Sequence, residues 1–252
     1  ATKTAVQDNY GQNDSITYII SIVNAGNTAF NGLTIEDNLG SYTFNTTTLT
    51  PLTYVNATIK YYINGILQPT PAVTPGPPLT ITGISVPASG NTTIVYEAAL
   101  NEYAPVATES EITNTATITG GGITPITVDE TVEALSEPIL SITKSVSPVP
   151  VTENGTLTYT FLIQNNGNTA ADITDALTVT DTFDPKLTNL SVSFNGTAWS
   201  EPANYTYDET TGLFSTVPGQ ITVPAATFTQ DPTTGSWIVS PGTRTLTVTG
   251  TI

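Results

Sequence analysis

Two stretches of the sequence decide the fold: SITYIISIVNAGNT at residues 15–28 and LTYTFLIQNNGNT at residues 157–169. Apolar side chains occupy every second position of both stretches: Ile16, Tyr18, Ile20 and Ile22 in the first, and Leu157, Tyr159, Phe161 and Ile163 in the second. A period of two places these side chains on one face of a β-strand. Each run ends in Asn-x-Gly-Asn, whose residues tolerate positive φ, so a tight turn is predicted there.

The two stretches belong to a longer internal repeat. Seven residues recur 141 positions later: Lys3, Tyr18, Asn24, Gly26, Asn27, Thr28 and Ala29 match Lys144, Tyr159, Asn165, Gly167, Asn168, Thr169 and Ala170. Further on, LTIED at residues 33–37 matches LTVTD at residues 177–181. Repetition on this scale indicates two copies of one module. We expect one domain at residues 1–135 and another at 139–252, with a linker at 135–138 where Pro138 interrupts strand pairing.

The composition indicates an all-β protein. About one residue in five is threonine, often at alternate positions, as in RTLTVTGTI at the end of the chain. β-Branched residues in this pattern fit half-buried strands, and no long window shows helical periodicity. Two D-x-T-T-G stretches in the second copy predict hairpins. Short strands at this spacing predict two tandem immunoglobulin-like β-sandwiches.

Several function classes are excluded by the residues that are absent. The chain has no cysteine and no histidine, which rules out disulfides, thiolate or histidine metal sites, and the Ser-His-Asp arrangement. Its formal net charge of −16 argues against a nucleic-acid partner, because five basic residues cannot neutralise phosphates. No apolar run is long enough for a transmembrane segment. We expect a protein that is not an enzyme.

The second copy is shorter than the first. Its last residue, Ile252, aligns with Leu100, and nothing in it corresponds to residues 101–134 of the first copy. A missing strand would leave about four inward side chains uncovered, at a cost of roughly 8 kcal/mol. We therefore expect either a longer natural chain or a strand donated by a neighbouring subunit. The expected subunit contact comprises both ends of the chain: Ala1, Lys3, Thr247, Thr249 and Ile252.

The stretch LSITKSVSPVPVTENGTLTYTFLIQNNGNTAADITDALTVTDTFDP at residues 140–185 resembles a known family. It is similar to the repeat called domain of unknown function 11, found in large surface proteins of bacteria and archaea. The features that carry the resemblance are Lys144, Pro148 and Gly155, followed by LTYTFLIQNNGNTA and LTVTDTF. The first copy lacks the proline, and the second lacks a late Asn-x-Ala strand. The resemblance implies tandem β-sandwiches in extracellular stalks, sheaths or fibres without enzymatic activity.

One group of residues predicts covalent chemistry. In several surface-protein sandwiches a buried lysine on the first strand attacks an asparagine on a late strand, with a carboxylic acid between them. Here Lys3 lies on the first strand, Asn114 on a late strand, and Asp37 or Glu36 on a middle one. Burial would lower the pKa of the lysine and make its amine a nucleophile. Lys144 occupies the equivalent position of the second copy but has no equivalent asparagine.

Acidic residues suggest a weak calcium site as the only cofactor. Carboxylates gather near the domain junction and along the middle of the second copy: Asp129 and Glu130, and Asp172, Asp175, Asp181 and Asp184. Calcium requires six to eight oxygen ligands from convergent loops, and no EF-hand spacing is present. Solvated acidic turns are the plainer interpretation.

These observations favour an extracellular structural subunit of a cell-surface filament, sheath or surface layer that self-associates into a homopolymer. An adhesin or carbohydrate-binding module is the alternative, and it requires an exposed aromatic cluster, for which the candidates are Trp199, Tyr205, Tyr207 and Trp237. A rigid monomeric spacer is a third interpretation. Self-association, ligand binding or neither would distinguish the three.

Overall fold

The computed structural model describes all 252 residues, and nearly all of its regular structure is β-strand. Its only helix is a single 3₁₀ turn at Ile173–Asp175. No helix is long and apolar enough to cross a membrane. The chain divides into two compact units, which we call the first and second modules: Ala1–Leu135 with Thr229–Ile238, and Ser136–Phe228 with Val239–Ile252.

The first module contains fourteen strands. They are β1 (Thr2–Ala5), β2 (Asn9–Tyr10), β3 (Ser15–Asn24), β4 (Phe30–Asp37), β5 (Tyr42–Phe44), β6 (Thr47–Leu49), β7 (Leu52–Tyr54), β8 (Lys60–Ile63), β9 (Ile66–Gln68), β10 (Ala72–Thr74), β11 (Leu79–Val86), β12 (Gly90–Leu100), β13 (Glu111–Gly120) and β14 (Ile126–Ala134). One sheet has the order β1-β3-β12-β8-β9, with β7 also on β12, and the other has the order β10-β11-β4-β13-β14-β2.

These two sheets form a sandwich around one apolar core. The alternation in β3 is confirmed, because Ile16, Tyr18 and Ile20 are buried while their neighbours are less so. Ile35 on β4 and Ile118 on β13 are fully buried in the same core. Two sheets that bury alternate side chains between them make an immunoglobulin-like sandwich, as the sequence predicts.

The second module uses a smaller set of strands. They are β15 (Leu140–Ser147), β16 (Thr156–Asn165), β17 (Thr180–Thr182), β18 (Thr188–Phe194), β19 (Thr197–Trp199), β20 (Tyr205–Asp208), β21 (Leu213–Thr216) and β24 (Gly242–Thr251). Two further strands, β22 (Thr227–Gln230) and β23 (Trp237–Ser240), lie partly in this module and partly in the Thr229–Ile238 segment of the first. One sheet has the order β15-β16-β24-β18-β19, and a three-stranded sheet has the order β17-β21-β20. A separate core cluster fills the module, with Phe161, Phe214 and Val248 among its buried side chains.

The subunit contact expected at the two chain ends stays a prediction, and most of its residues lie on strands that are paired within the chain. Strand β24 is paired on both sides, with Thr247 opposite Thr160 and Ser193, so it presents no free edge, and Thr249 lies on the same paired strand. Ile252 packs partly against the core, and Lys3 lies in the interior of its own module. Ala1 is exposed, and β1 beside it pairs with β3 of its own module.

The repeated Asn-x-Gly-Asn turn is held by a buried side chain and not by positive φ, since none of its residues has positive φ. Asn24 donates to the carbonyl oxygens of Thr28 and Pro87 and accepts from Gly26 N–H. Asn165 repeats the pattern with Thr169 O and Gly167 N–H. The asparagine therefore satisfies loop backbone groups that would otherwise be buried without partners.

Both D-x-T-T-G stretches form the predicted hairpins, β20–β21 and β22–β23. Asp208 accepts from the backbone N–H groups of Thr210 and Thr211, and Gly212 follows with a φ of 81°. These hydrogen bonds lower the pKa of the Asp208 carboxyl. The segment Thr229–Ile238 contains most of the second hairpin and groups with the first module, although its sequence position follows the second repeat.

Candidate functional site

A buried ion pair joins the two sheets of the first module. Lys3 on β1 extends its ammonium inward, and its Nζ lies 2.6 Å from Oδ2 of Asp37 at the end of β4. Neither side chain is exposed to solvent. Glu36, the other predicted acid, points outward because alternation along β4 gives the inward position to Asp37. The structure therefore selects Asp37 as the acid beside Lys3.

The Asp37 carboxylate accepts two further hydrogen bonds. The Tyr96 hydroxyl on β12 donates to Oδ2 at 2.5 Å, and the Leu39 backbone N–H donates to Oδ1 at 3.0 Å. A buried carboxylate is costly unless its oxygens have partners. Here both oxygens have donors, so the acid is held in one orientation between the two sheets.

Asn114 completes the cluster from β13. It is fully buried, and its Nδ2 donates to the Tyr96 hydroxyl at 3.2 Å. Its Oδ1 accepts the backbone N–H of Gly40 at 3.2 Å. A hydrogen-bonded path therefore runs from the Lys3 ammonium through Asp37 and Tyr96 to the Asn114 amide. The structure brings together the predicted lysine, acid and asparagine.

Gly40 is required by the backbone at this point. Its φ is 72°, and a Cβ atom there would lie 2.6 Å from a methyl carbon of Ile112. Only glycine adopts this conformation at no cost and leaves room for the approach. The residue therefore allows the loop after β4 to aim its N–H at the Asn114 carbonyl oxygen.

An aromatic ring lies beside the amine. Lys3 Nζ lies 4.8 Å from the centre of the Tyr18 ring, and this ring stacks on Tyr96 at a centroid distance of 5.6 Å. The Tyr18 hydroxyl lies near Asn114 but makes no hydrogen bond of regular geometry. Burial raises the pKa of Tyr18 and Tyr96, so both remain neutral hydroxyls at neutral pH.

Burial lowers the pKa of the Lys3 ammonium from its ordinary value of 10.5 to about 8, although the Asp37 carboxylate opposes the shift. An isolated pair of charges in a dry interior loses its hydration. Transfer of one proton across the 2.6 Å hydrogen bond would convert the pair to a neutral amine and a carboxylic acid. A neutral lysine amine is a nucleophile, whereas its ammonium is not.

A pH dependence of stability follows for any chain whose Lys3 remains a free amine, such as an Asn114→Ala variant. Between about pH 8 and pH 10 the unfolded lysine holds its proton more tightly than the folded one, so the free energy of unfolding rises with pH. We expect a gain of roughly 2 kcal/mol between about pH 7 and pH 9.5 in urea titrations. Above about pH 10 the trend reverses, because the buried tyrosines ionise only after unfolding. The same variant with Lys3→Met added should show no rise, and a rise of equal size there would contradict the assignment.

The second module contains half of this cluster. Lys144 on β15 contacts Asp181 on β17, and its Nζ lies 4.6 Å from the centre of the Tyr159 ring. The Lys144 side chain is 40% exposed and the Asp181 side chain 18%, whereas both side chains of the pair in the first module are fully buried. Val248 stands in the place of Tyr96, because it pairs with Tyr159 as Tyr96 pairs with Tyr18. No asparagine reaches Lys144 in this module.

Two contributors to the first cluster, Tyr96 and Gly40, are missing from the sequence-based prediction. The copies differ at the first position, where Tyr96 aligns with Val248 within otherwise similar strands. The sequence does contain a signal for Tyr96, because a tyrosine stands there in the middle of an apolar strand where the second copy has an aliphatic residue. Gly40 offered none, because its role depends on the meeting of the β4 loop with β13.

The carboxylates proposed for calcium are not brought together. No three acidic residues anywhere in the chain are grouped so that they could hold a metal ion. Asp172 and Asp175 form a capping box on the 3₁₀ turn, and Asp181 pairs with Lys144. Asp129 and Glu130 are successive residues of β14 that point to opposite sides, and Asp184 belongs to no group of three acidic residues.

The aromatic residues considered for ligand binding do not form one exposed platform. Tyr205 is buried in the core of the second module, and Tyr207 packs against that core. Trp199 is half-buried and stacks on Phe194 at a centroid distance of 4.9 Å. Trp237 belongs to the first module. These side chains serve packing within two different modules.

No protein-family profile matches the chain, and no curated protein does. Among solved structures, the chain is similar to the C-terminal domain of the antigen I/II polypeptide BspA of Streptococcus agalactiae, with 11% identity and a TM-score of 0.41 over 100% of this chain and 91% of that one. It is also similar to the pilus backbone protein RrgB of Streptococcus pneumoniae, with 13% identity and a TM-score of 0.37. That match covers 95% of this chain and 54% of RrgB. A third similar structure is the major pilin subunit BcpA of Bacillus cereus. It has 14% identity and a TM-score of 0.38, and the match covers 97% of this chain and 65% of that one.

Proposed function

We propose that the chain is a load-bearing structural subunit of an extracellular cell-surface filament, sheath or layer, and that an amide bond between Lys3 and Asn114 locks its first module. The observation that carries the proposal is the buried path Lys3–Asp37–Tyr96–Asn114 between the two sheets. The resemblance to domain of unknown function 11 supports the same setting. We further propose that the subunits assemble into a homopolymer.

The bond-forming step follows from the arrangement of the side chains. The neutral Lys3 amine attacks Cγ of Asn114, and the Gly40 N–H stabilises the negative charge that develops on Oδ1. Asp37 takes the amine proton, and a proton passes through Tyr96 to Nδ2. The Nζ–Cγ bond forms, the Cγ–Nδ2 bond breaks, and ammonia leaves. No oxidant, metal or cofactor is required for the balance.

Such a bond would change how the first module carries tension. Lys3 lies two residues from Ala1, and Asn114 lies on the next-to-last long strand of the module. Tension that enters at β1 would cross directly to β13 through the amide. Residues 4–113 would then remain folded under a load that opens ordinary sandwiches. Protection of this kind suits a protein that transmits force along a surface structure.

Single-molecule stretching of the full chain from both ends tests this function. We expect the wild-type chain never to release residues 4–113, whereas Asn114→Ala releases them and gains roughly 380 Å of contour length at about 3.5 Å per residue. A Thr113→Ala variant is the matched control, because its side chain is exposed on the same strand. Equal extension of the wild-type and Asn114→Ala chains would overturn the proposal.

A further inference from the structure

Tyr18 lies beside both of the side chains that the proposed amide bond would join. The centre of its ring is 4.8 Å from Nζ of Lys3, and its hydroxyl lies near the Asn114 carboxamide. The side chain is fully buried on β3. The proposed bond-forming step moves its protons through Asp37 and Tyr96 and leaves the Tyr18 hydroxyl unused. A buried polar group next to both reacting residues therefore has no assigned role.

The Tyr18 hydroxyl makes no hydrogen bond while Lys3 and Asn114 are unlinked. Its neighbour Tyr96, in contrast, donates to Asp37 and accepts from Nδ2 of Asn114. A hydroxyl that is buried without a partner lowers the stability of the fold, so such groups are rare in native proteins. Phenylalanine would fill the same position without this penalty. The unlinked fold therefore gains nothing from the hydroxyl.

The electrostatics at Tyr18 indicate which end of the carboxamide its hydroxyl faces. Burial and the Asp37 carboxylate raise the pKa of Tyr18, whereas the Asn114 side chain opposes this rise. A group that opposes the rise stabilises the phenolate, which requires a donor directed at the phenol oxygen, and Nδ2 is the donor of the carboxamide. Tyr18 therefore faces the leaving nitrogen, while the Gly40 N–H binds the carbonyl oxygen.

The leaving nitrogen changes its hydrogen bonding during the reaction. In the amide, Nδ2 of Asn114 carries two N–H groups held in the plane of the carboxamide, and one of them donates to Tyr96. When Lys3 attacks Cγ, this carbon becomes tetrahedral, and Nδ2 gains a proton, a positive charge and freedom to turn its N–H groups. A charged N–H donor makes a shorter and stronger hydrogen bond than an amide N–H. The Tyr18 oxygen is the acceptor beside it.

We propose that Tyr18 is a catalytic residue for this bond, and that its hydroxyl oxygen accepts a hydrogen bond from Nδ2 of Asn114 as this nitrogen is protonated and leaves. This rests on the amide bond between Lys3 and Asn114 that is proposed as part of the function. A hydrogen bond that becomes regular only after attack stabilises the transition state more than the unlinked state, so it raises the rate. The Nζ–Cγ bond forms, the Cγ–Nδ2 bond breaks, and ammonia leaves. Tyr18 neither gains nor loses a proton.

The second module separates the role of the ring from that of the hydroxyl. Tyr159 matches Tyr18 in the repeat, and the centre of its ring lies 4.6 Å from Nζ of Lys144. A ring beside the lysine is thus common to both modules, whereas the first module alone places an asparagine beside the tyrosine hydroxyl. Tyr18→Phe keeps the ring and removes only the hydroxyl. Tyr159→Phe makes the same change in the second module and is the matched control.

The rate of bond formation tests the role of Tyr18. The full chain is made by cell-free synthesis, samples are quenched in denaturing acid at intervals after synthesis stops, and intact mass gives the fraction that has lost one ammonia. We expect Tyr18→Phe to link roughly 10- to 100-fold more slowly than the wild type, as for loss of one hydrogen bond to a charged group. Tyr159→Phe should link at the wild-type rate. Added to Asn114→Ala, Tyr18→Phe should not lower the urea concentration of unfolding, because the hydroxyl has no partner in the unlinked chain.

A Tyr18→Phe chain that links as fast as the wild type would overturn the proposal and leave the proposed function intact. A double variant that unfolds at a lower urea concentration than Asn114→Ala alone would also overturn it, because the hydroxyl would then stabilise the unlinked fold. A wild-type chain that never loses ammonia would contradict the amide bond itself and, with it, the role of Tyr18. The wild-type mass therefore tests the bond, and the ratio of the two rates tests the tyrosine.

Discussion

Replacement of Asp37 with alanine is expected to leave Lys3 and Asn114 unlinked and to destabilise the first module by roughly 3–5 kcal/mol or more. The unlinked variant keeps Lys3 as a buried amine without its acid partner, and removal of one partner of a buried ion pair costs about 3–5 kcal/mol. Loss of the cross-link adds to this cost. The variant also lacks the acid that moves the proton. Intact mass of the denatured chain measures the first effect, and urea titration of unfolding measures the second.

Asp181→Ala is the matched control for this substitution. It removes the equivalent carboxylate of the second module, where Lys144 is 40% exposed and can be hydrated when its partner is lost. We expect Asp181→Ala to lower the free energy of unfolding by about 1 kcal/mol or less, as for ion pairs near the surface. Two results would show that the role assigned to Asp37 is incorrect. One is an Asp37→Ala chain that is still lighter than its sequence by one ammonia, and the other is a loss of unfolding free energy no larger than that of Asp181→Ala.

Asn114→Ala is expected to abolish the bond while the Lys3–Asp37 ion pair remains. The lost link would close a loop of roughly 110 residues, and in the chain-entropy model a cross-link of this span contributes about 4–5 kcal/mol to the free energy of unfolding. The variant should therefore unfold at a much lower urea concentration than the wild type. Its mass should equal that of its sequence without loss of ammonia.

Thr113→Ala serves again as the control, since it alters the exposed face of the same strand. It should retain the mass deficit and lose little stability, within about 0.5 kcal/mol as for most surface substitutions. An Asn114→Ala chain as stable as Thr113→Ala would show that the asparagine carries no cross-link. Equal mass deficits in the two variants would lead to the same conclusion.

The sequence was sufficient for the strand pattern and for three members of the cluster. The 141-residue offset placed Lys3 and Lys144 at equivalent positions, and the structure places both on first strands that pair in the same way. The sequence analysis kept Asp37 and Glu36 as alternatives for the acid, although alternation along β4 turns only Asp37 inward. Side-chain direction is a local property, so this choice could have been made from the sequence.

Other features depended on contacts between distant parts of the chain. Tyr96 and Gly40 join the cluster only because β12 and the β4 loop meet β13. The same holds for the segment Thr229–Ile238, whose Trp237 N–H donates to Glu102 O within the first module. Strand β24 likewise lies in the middle of its sheet, between β16 and β18, and this place depends on pairing between distant parts of the chain.

The central claim is the amide bond between Lys3 and Asn114, and the intact mass of the denatured 252-residue chain tests it most directly. The proposal predicts a mass lower than that of the sequence by one ammonia, and a branched peptide after digestion that joins the segments of Lys3 and Asn114. A mass equal to that of the sequence, with Lys3 recovered as a free amine, would contradict it.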